Sequence, residues 1–234
     1  MVNRHDGAVG PISTNGRLFV QGHESVMAYD AYNGQFLWET KNPGAMRTGV
    51  FMAREPGNMA ASDDHLFMLL EDECIQYDAA TGRIVRTLKI PGAGTKKDLQ
   101  WGYIAYADGL LYGTETERVE KASEVARRGK NATISTDKIF AFDALSGELK
   151  WSFQGKHIAH NTVAIGDGNV FFIDASLTPE QRALMLAQDK TELAKLTGKE
   201  RELAEERIKT ADLRMAVALD AKTGGQLWAR PVDV

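Results

Sequence analysis

Apolar and polar residues alternate along this chain in short runs that Gly, Asp and Asn interrupt every few positions. Alternation with a period of two turns one side of the backbone inward and predicts half-buried β-strands. Runs at 26–29, 75–77, 139–142 and 216–219 each lead into an Asp-x-x-x-Gly segment: Asp30 to Gly34, Asp78 to Gly82, Asp143 to Gly147 and Asp220 to Gly224. A second run follows each glycine and reaches Trp38, Arg86, Trp151 or Trp228 at the same spacing. An Asp carboxylate accepts hydrogen bonds from turn amides, and Gly supplies the positive φ that closes the turn, so each segment predicts a hairpin.

Upstream of each hairpin lies another turn signal, at Asn15-Gly16, Asp63-Asp64, Asp108-Gly109 and Asp167-Gly168. Each unit therefore predicts four strands. Aligning Leu18 with Leu66, Leu111 and Val170 gives offsets of 48, 93 and 152, whereas aligning the aspartates gives 48, 113 and 190. The differences place insertions of 20 and 38 residues between the second and third strands of units three and four. Four-stranded antiparallel units at this period predict an all-β chain, a partial β-propeller of four blades. The blades are expected at about 5–41, 54–90, 99–154 and 159–231 of a single domain spanning 1–234, with insertions at about 114–137 and 177–214.

The pattern Ala28-x-Asp30-x-x-x-Gly34-x-x-x-Trp38, with its counterparts from Ala141 to Trp151 and from Ala218 to Trp228, resembles the tryptophan-docking motif of pyrroloquinoline quinone (PQQ)-like repeats. The resemblance covers essentially the whole chain. It implies a propeller in which Asp30, Gly34, Trp38, Asp78, Gly82, Asp143, Gly147, Trp151, Asp220, Gly224 and Trp228 dock each blade on its neighbour. The second unit departs from the pattern, with Gln76 for the alanine and Arg86 for the tryptophan. Such repeats occur in quinoprotein dehydrogenases and in the non-enzymatic outer-membrane-protein assembly lipoprotein, so they speak to fold more than to function. They also imply a periplasmic or cell-envelope setting. Rings of this family have seven or eight blades, so four blades are expected to be a fragment or a chain that pairs.

In a propeller the first strand lies nearest the axis, and the loops before it open on the face where PQQ enzymes hold their cofactor. The offsets put His5 and Asp6, residues 56–58, Gln100 and Trp101, and His160 and Asn161 at that mouth. Pro11 is expected within the first inner strand. Of these, Asp6, Asn58, Trp101, His160 and Asn161 are the candidate cofactor-binding residues. Trp101 is the aromatic for a planar ring, and Asp6, Asn58 and Asn161 are oxygen donors of the type Ca²⁺ takes. The plainer reading is that these polar groups satisfy loop backbone near the axis.

The larger insertion predicts a helical hairpin. Thr178 and Pro179 open a first helix, Gly198 closes it, and a second runs from Lys199 to Lys209, with Leu203, Ala204, Ile208 and Ala211 as an inward stripe. In the smaller insertion, Glu117 with Lys121 and Glu124 with Arg128 at i, i+4 predict a short helix before Gly129. Both would rise on the mouth face as a docking platform for a protein partner.

Composition narrows the alternatives. A net charge of −4 offers no surplus to neutralise phosphates, so no nucleic-acid partner is expected. No apolar run approaches the roughly 20 residues of a membrane-spanning helix. Cys74 is the single cysteine, which excludes an internal disulfide and a Cys-rich zinc site. His157 and His160 lack an identifiable third ligand, and no metal site is expected. The reading taken forward is a scaffold or ligand-binding module, part of a larger propeller, completed by further blades or a protein partner and needing no cofactor. The alternative is a fragment of a PQQ- and Ca²⁺-dependent dehydrogenase.

Overall fold

The structure is a computed structural model, and it describes residues 10–43, 57–70, 72–92, 99–117, 135–175, 177–178, 181, 193–210 and 213–233. Among the described residues sixteen strands form four antiparallel sheets, each ordered by sequence. Blade 1 holds β1 (Ile12–Thr14), β2 (Arg17–Gln21), β3 (Ser25–Asp30) and β4 (Phe36–Lys41), and blade 2 holds β5 (Met59–Ala61), β6 (His65–Leu70), β7 (Glu73–Asp78) and β8 (Ile84–Lys89). Blade 3 holds β9 (Leu99–Ala107), β10 (Leu110–Glu117), β11 (Ser135–Asp143) and β12 (Leu149–Ala159). Blade 4 holds β13 (Ala164–Gly166), β14 (Asn169–Asp174), β15 (Leu213–Asp220) and β16 (Gln226–Asp233). The first strands adjoin, β1 beside β5 and β5 beside β9.

The Asp-x-x-x-Gly turns close as their chemistry requires. Asp78 Oδ1 accepts the Ala80 and Thr81 amides and the Thr81 hydroxyl, at 3.1, 2.9 and 2.7 Å. Gly82, at φ +71°, donates its amide to Asp78 O at 2.8 Å. Asp30, Asp143 and Asp220 repeat the arrangement. Hydrogen bonds from the Thr81 hydroxyl, the Ser146 amide and the Thr223 hydroxyl hold the carboxyls of Asp78, Asp143 and Asp220 below the usual carboxylate range.

The core is not one cluster but three, each lying between consecutive blades. Phe19, Val26, Ala28 and Trp38 of blade 1 meet Leu66, Met68, Tyr77 and Ala79 of blade 2. Phe67, Leu69, Cys74 and Leu88 of blade 2 meet Trp101, Leu111, Phe140, Phe142 and Ala144 of blade 3. Tyr112, Ile139, Ala141 and Trp151 of blade 3 meet Val170, Phe172, Val217, Leu219 and Ala221 of blade 4. Each blade thus has a trailing face that covers the next and a leading face that is covered by the one before. The arc stays open between blade 4 and blade 1.

Tryptophan joins two of these pairs of blades. The Trp38 indole N–H donates to Ala79 O at 3.1 Å and the Trp151 indole N–H to Ala221 O at 2.9 Å. Each ring lies over the turn glycine of the following blade. A Cβ on Gly82 would stand 2.6 Å from Trp38 Cδ2, and one on Gly224 2.6 Å from Trp151 Cδ2. Across its own sheet each indole pairs with a small residue, Ala28 with Trp38 and Ala141 with Trp151, which leaves the ring room to lie flat.

The joint between blades 2 and 3 uses Gln76 and Arg86, which occupy that same cross-strand pair. Gln76 Nε2 donates to Ala144 O at 3.0 Å, and Arg86 donates to Leu145 O at 2.9 Å and to Ser146 O. The Arg86 Cδ stands 2.8 Å from where a Cβ on Gly147 would be. The work of one indole is divided, glutamine taking the alanine carbonyl and arginine covering the glycine.

The insertions depart from expectation. Thr114–Glu117 and residues 135–137 are strand, because the Thr-rich sequence continues β10 and β11 into the region assigned to the insertion. Beyond the Thr114–Ile139 pair the two strands part: Glu115, Thr116 and Glu117 pair with β9, while Ser135, Thr136 and Lys138 pair with β12. The expected helix at 117–128 lies outside the described residues, apart from Glu117, which is strand. In blade 4 the described part of the insertion holds one α-helix, α1 (Gly198–Thr210), and Leu213 and Arg214 belong to β15 rather than to the insertion. Of the other expected helix only Thr178, Gln181 and residues 193–198 are described: Thr178 Oγ1 accepts the Gln181 amide at 3.2 Å, and Gly198, expected to close that helix, is the first residue of α1. Leu203, assigned to the inward stripe, is 67% exposed; the chain around it is almost wholly charged and gives it no apolar cover. Pro11 precedes β1, which begins at Ile12, and is not part of it.

Candidate functional site

The mouth face is where second strands end and first strands begin, and polar side chains meet there across the joints between blades. Gln21, the last residue of β2, and Asn58, just before β5, are both buried, and Asn58 Nδ2 donates to Gln21 Oε1 at 2.7 Å. The Asn58 carbonyl accepts the Leu69 amide at 2.8 Å, so the residue fastens blade 1 to the inner hairpin of blade 2. Asn58 Oδ1 is buried without a hydrogen-bond partner among the described residues.

The corresponding bridge between blades 3 and 4 is Thr114 with His160. His160 is buried in a 3-10 turn (His160–Thr162), and its Nε2 shares a 3.0 Å hydrogen bond with Thr114 Oγ1, which also accepts the Tyr103 amide at 2.8 Å. Glycine makes the approach possible: a Cβ on Gly102 would lie 2.9 Å from Thr114 Oγ1 and 3.2 Å from His160 Nδ1. Thr114 and Gln21 stand at the same register of their second strands, a correspondence visible from the 93-residue offset but not from either residue alone.

Trp101 lies inside β9 opposite Glu115 and is buried. Its ring meets Phe140 edge-on at 5.0 Å and stacks on Phe142 at 6.0 Å, and its Nε1 has no acceptor among the described residues. Gly113 admits it, since a Cβ there would stand 2.7 Å from Trp101 Cε3. Asn161 is exposed on the turn after His160, and Asp6 lies outside the described residues. His157 is an exposed strand residue of β12 whose amide donates to the buried Asp174 carboxylate at 2.7 Å. Among the described residues no three His, Cys, Asp or Glu side chains gather to hold a metal ion.

Three further groups bear on the chemistry. Lys138 Nζ pairs with Glu115 Oε2 at 2.9 Å and donates to Pro91 O at 3.2 Å, tying the parted strands of blade 3 to blade 2. Cys74 is packed in the joint between blades 2 and 3, where burial pushes its thiol far above the usual range, so it is no nucleophile at neutral pH. Burial likewise pushes the Tyr77 phenol up to about 12.

The described residues do not fit a quinone with its calcium ion. Both aromatic partners of the Trp101 ring are core phenylalanines, the described oxygen-donor candidates Asn58 and Asn161 are neutral amides, the Glu115 carboxylate is paired with Lys138, and Ca²⁺ takes six to eight oxygens.

No curated protein sequence matches the chain. Among solved structures it is similar to quinohemoprotein alcohol dehydrogenase ADHIIG from Pseudomonas putida HK5, with a TM-score of 0.56 at 13% identity over 95% of this chain and 34% of that one. The enzyme of the same name from Comamonas testosteroni gives 0.55 at 14%, again over 95% and 34%. The WD40 domain of Neurospora crassa Pan2 gives 0.52 at 11%, over 97% of this chain and 52% of that one. The chain therefore spans about a third of the dehydrogenases and half of the WD40 propeller, and these likenesses speak to fold alone. No helix among the described residues is long and apolar enough to cross a membrane. The sequence profile of the family described as outer membrane protein assembly factor BamB matches residues 22–234, and with its four PQQ-like blades the chain belongs to that family.

Proposed function

We propose that this chain is a protein-interaction scaffold of the cell envelope, working as part of a larger PQQ-like propeller and without a quinone cofactor. The observation that carries this reading is the use made of the mouth: Asn58 and His160, the polar candidates buried there, bond to Gln21 and Thr114 of neighbouring blades. The Asn58 amide nitrogen and the His160 ring are thereby spent on fastening blades rather than on a ligand, and Asn58 Oδ1 is left without a partner among the described residues. Trp38 with Gly82, Arg86 with Gly147 and Trp151 with Gly224 have the same structural role at the three joints. The α1 segment is the surface a protein partner would use, with Leu203 held out to solvent among charges.

Calorimetric titration with PQQ and Ca²⁺ tests the reading. No saturable heat is expected from material of defined molar mass. Saturable binding at one quinone per ring, weakened by Trp101→Ala, would instead assign the chain to the dehydrogenases. Removal of residues 177–212, which spares β15, is expected to leave the blades folded and abolish partner binding; unchanged binding would take the platform away.

A further inference from the structure

The two open ends of the arc are the two halves of a missing joint. At each internal joint the leading face is buried: Leu66, Met68, Ile75, Tyr77 and Ala79 in blade 2, and Val170, Phe172, Val217, Leu219 and Ala221 in blade 4. Their register equivalents in blade 1 are Leu18, Val20, Met27, Tyr29 and Ala31, equally apolar, and none of them is buried. The turn glycine tells the same story. Gly82, Gly147 and Gly224 each lie under a side chain of the preceding blade, whereas Gly34, at the same φ, has nothing within 4 Å of its Cβ position.

The trailing face of blade 4 is the matching plug. Trp228 pairs with Ala218 across the sheet as Trp38 does with Ala28. It tilts against Phe171 at 6.1 Å as Trp38 tilts against Phe19 at 5.9 Å and Trp151 against Tyr112 at 6.0 Å. Yet Trp228 is 38% exposed where Trp38 and Trp151 are each 7% exposed, and its indole N–H has no acceptor among the described residues. Phe171 and Ile173 beside it are only half-buried.

We infer that a second copy of this chain supplies the missing half. Trp228 of each copy lies over Gly34 of the other and donates to its Ala31 carbonyl, so that two four-bladed arcs close one ring through two identical joints. The self-complementarity of the chain favours a copy of it as the occupant: its own first blade carries the Asp-Ala-x-x-Gly turn, bare glycine and apolar face that the Trp228 side requires. A head-to-tail contact forms a closed pair when its rotation returns to the start and a filament when it does not. The inference is independent of whether the mouth takes a ligand.

Light scattering on the whole 234-residue chain tests it. The expected particle has twice the 25.7 kDa of one chain. Trp228→Ala and Ala31→Arg, each blocking one side, should each weaken association at least about tenfold. Mixing the two variants should restore partial pairing, because one intact joint remains. Iodide quenching of tryptophan fluorescence, weak in the pair and stronger after dilution, gives a second readout, and far-UV circular dichroism shows that the variants stay folded. A monomer at all concentrations, an open filament, or a dimer indifferent to both substitutions would each overturn the inference.

Discussion

The joints at Trp38 and Trp151 differ from the joint at Gln76 and Arg86 in how one geometrical task is met. In all three a donor must reach an alanine carbonyl of the next blade and something must cover its turn glycine. An indole does both with a rigid plane that buries a large apolar area. The glutamine–arginine pair does both with flexible chains, leaves Gln76 Oε1 buried without a partner among the described residues, and adds a third carbonyl contact through arginine's extra donors. The lesson is that the repeat preserves the contact rather than the residue. A blade may lose its tryptophan and keep its place.

The contrast can be broken most forcefully at the ring itself. Trp151→Ala should cost about 3–5 kcal/mol through the cavity and the lost hydrogen bond, whereas Arg86→Ala should cost about 1–3 kcal/mol, the range for an unsatisfied polar contact. Chemical denaturation of both variants checks the order, and equal losses would mean that the two joints are not built differently. Next come the glycines. Gly82→Ala and Gly147→Ala share a backbone penalty of about 1–2 kcal/mol. Only the first meets a rigid indole, so Gly82→Ala should lower the melting temperature further; the Arg86 chain at Gly147 can swing aside.

A smaller effect comes from converting one joint into the other. Gln76→Ala with Arg86→Trp should gain about 1 kcal/mol relative to the sum of the single variants, because the small residue must make room before the indole can lie flat. A double-mutant cycle without coupling would refute the division of labour between Gln76 and Arg86. The smallest effect is that of pH. Asp78, Asp143 and Asp220 have depressed carboxyl pKa values, so their contribution is complete above about pH 4, the value of an unfolded carboxylate, and fades as pH falls through the folded values. Melting temperatures from pH 6 to about pH 2 should fall accordingly, and Asp143→Asn should flatten the curve.

Much of the fold can be read from the sequence because turn chemistry is local. The Asp-x-x-x-Gly spacing marks every outer hairpin, and the repeated turn signals anticipate the four four-stranded sheets. The joint at Gln76 and Arg86 is less legible. The two substitutions stand ten residues apart, and only the register reveals them as partners across one ladder. The mouth is harder still. Offsets locate the start of an inner strand but not its reach, so Trp101 reads as a rim residue although β9 carries it into the core beside Phe140 and Phe142. Gln21 and Thr114 pass unremarked because their roles depend on what stands across a joint. Leu203 reads as part of a buried stripe because periodicity says which residues share a face, not what that face meets.

The fork in blade 3 bears on how such a chain can change. Past Thr114 and Ile139 the middle strands let go of each other but each keeps its outer partner, so the ladder is secured before the insertion begins. The strand ends on either side of it, Glu117 and Ser135, are each held by an outer partner, Leu99 and Ala159. Insertion of sequence between such ends leaves the register of the ladder unchanged, and no side chain in the blade need switch face to accommodate it. The fork is in effect a port, where sequence can be exchanged for new recognition while the frame around it remains the same.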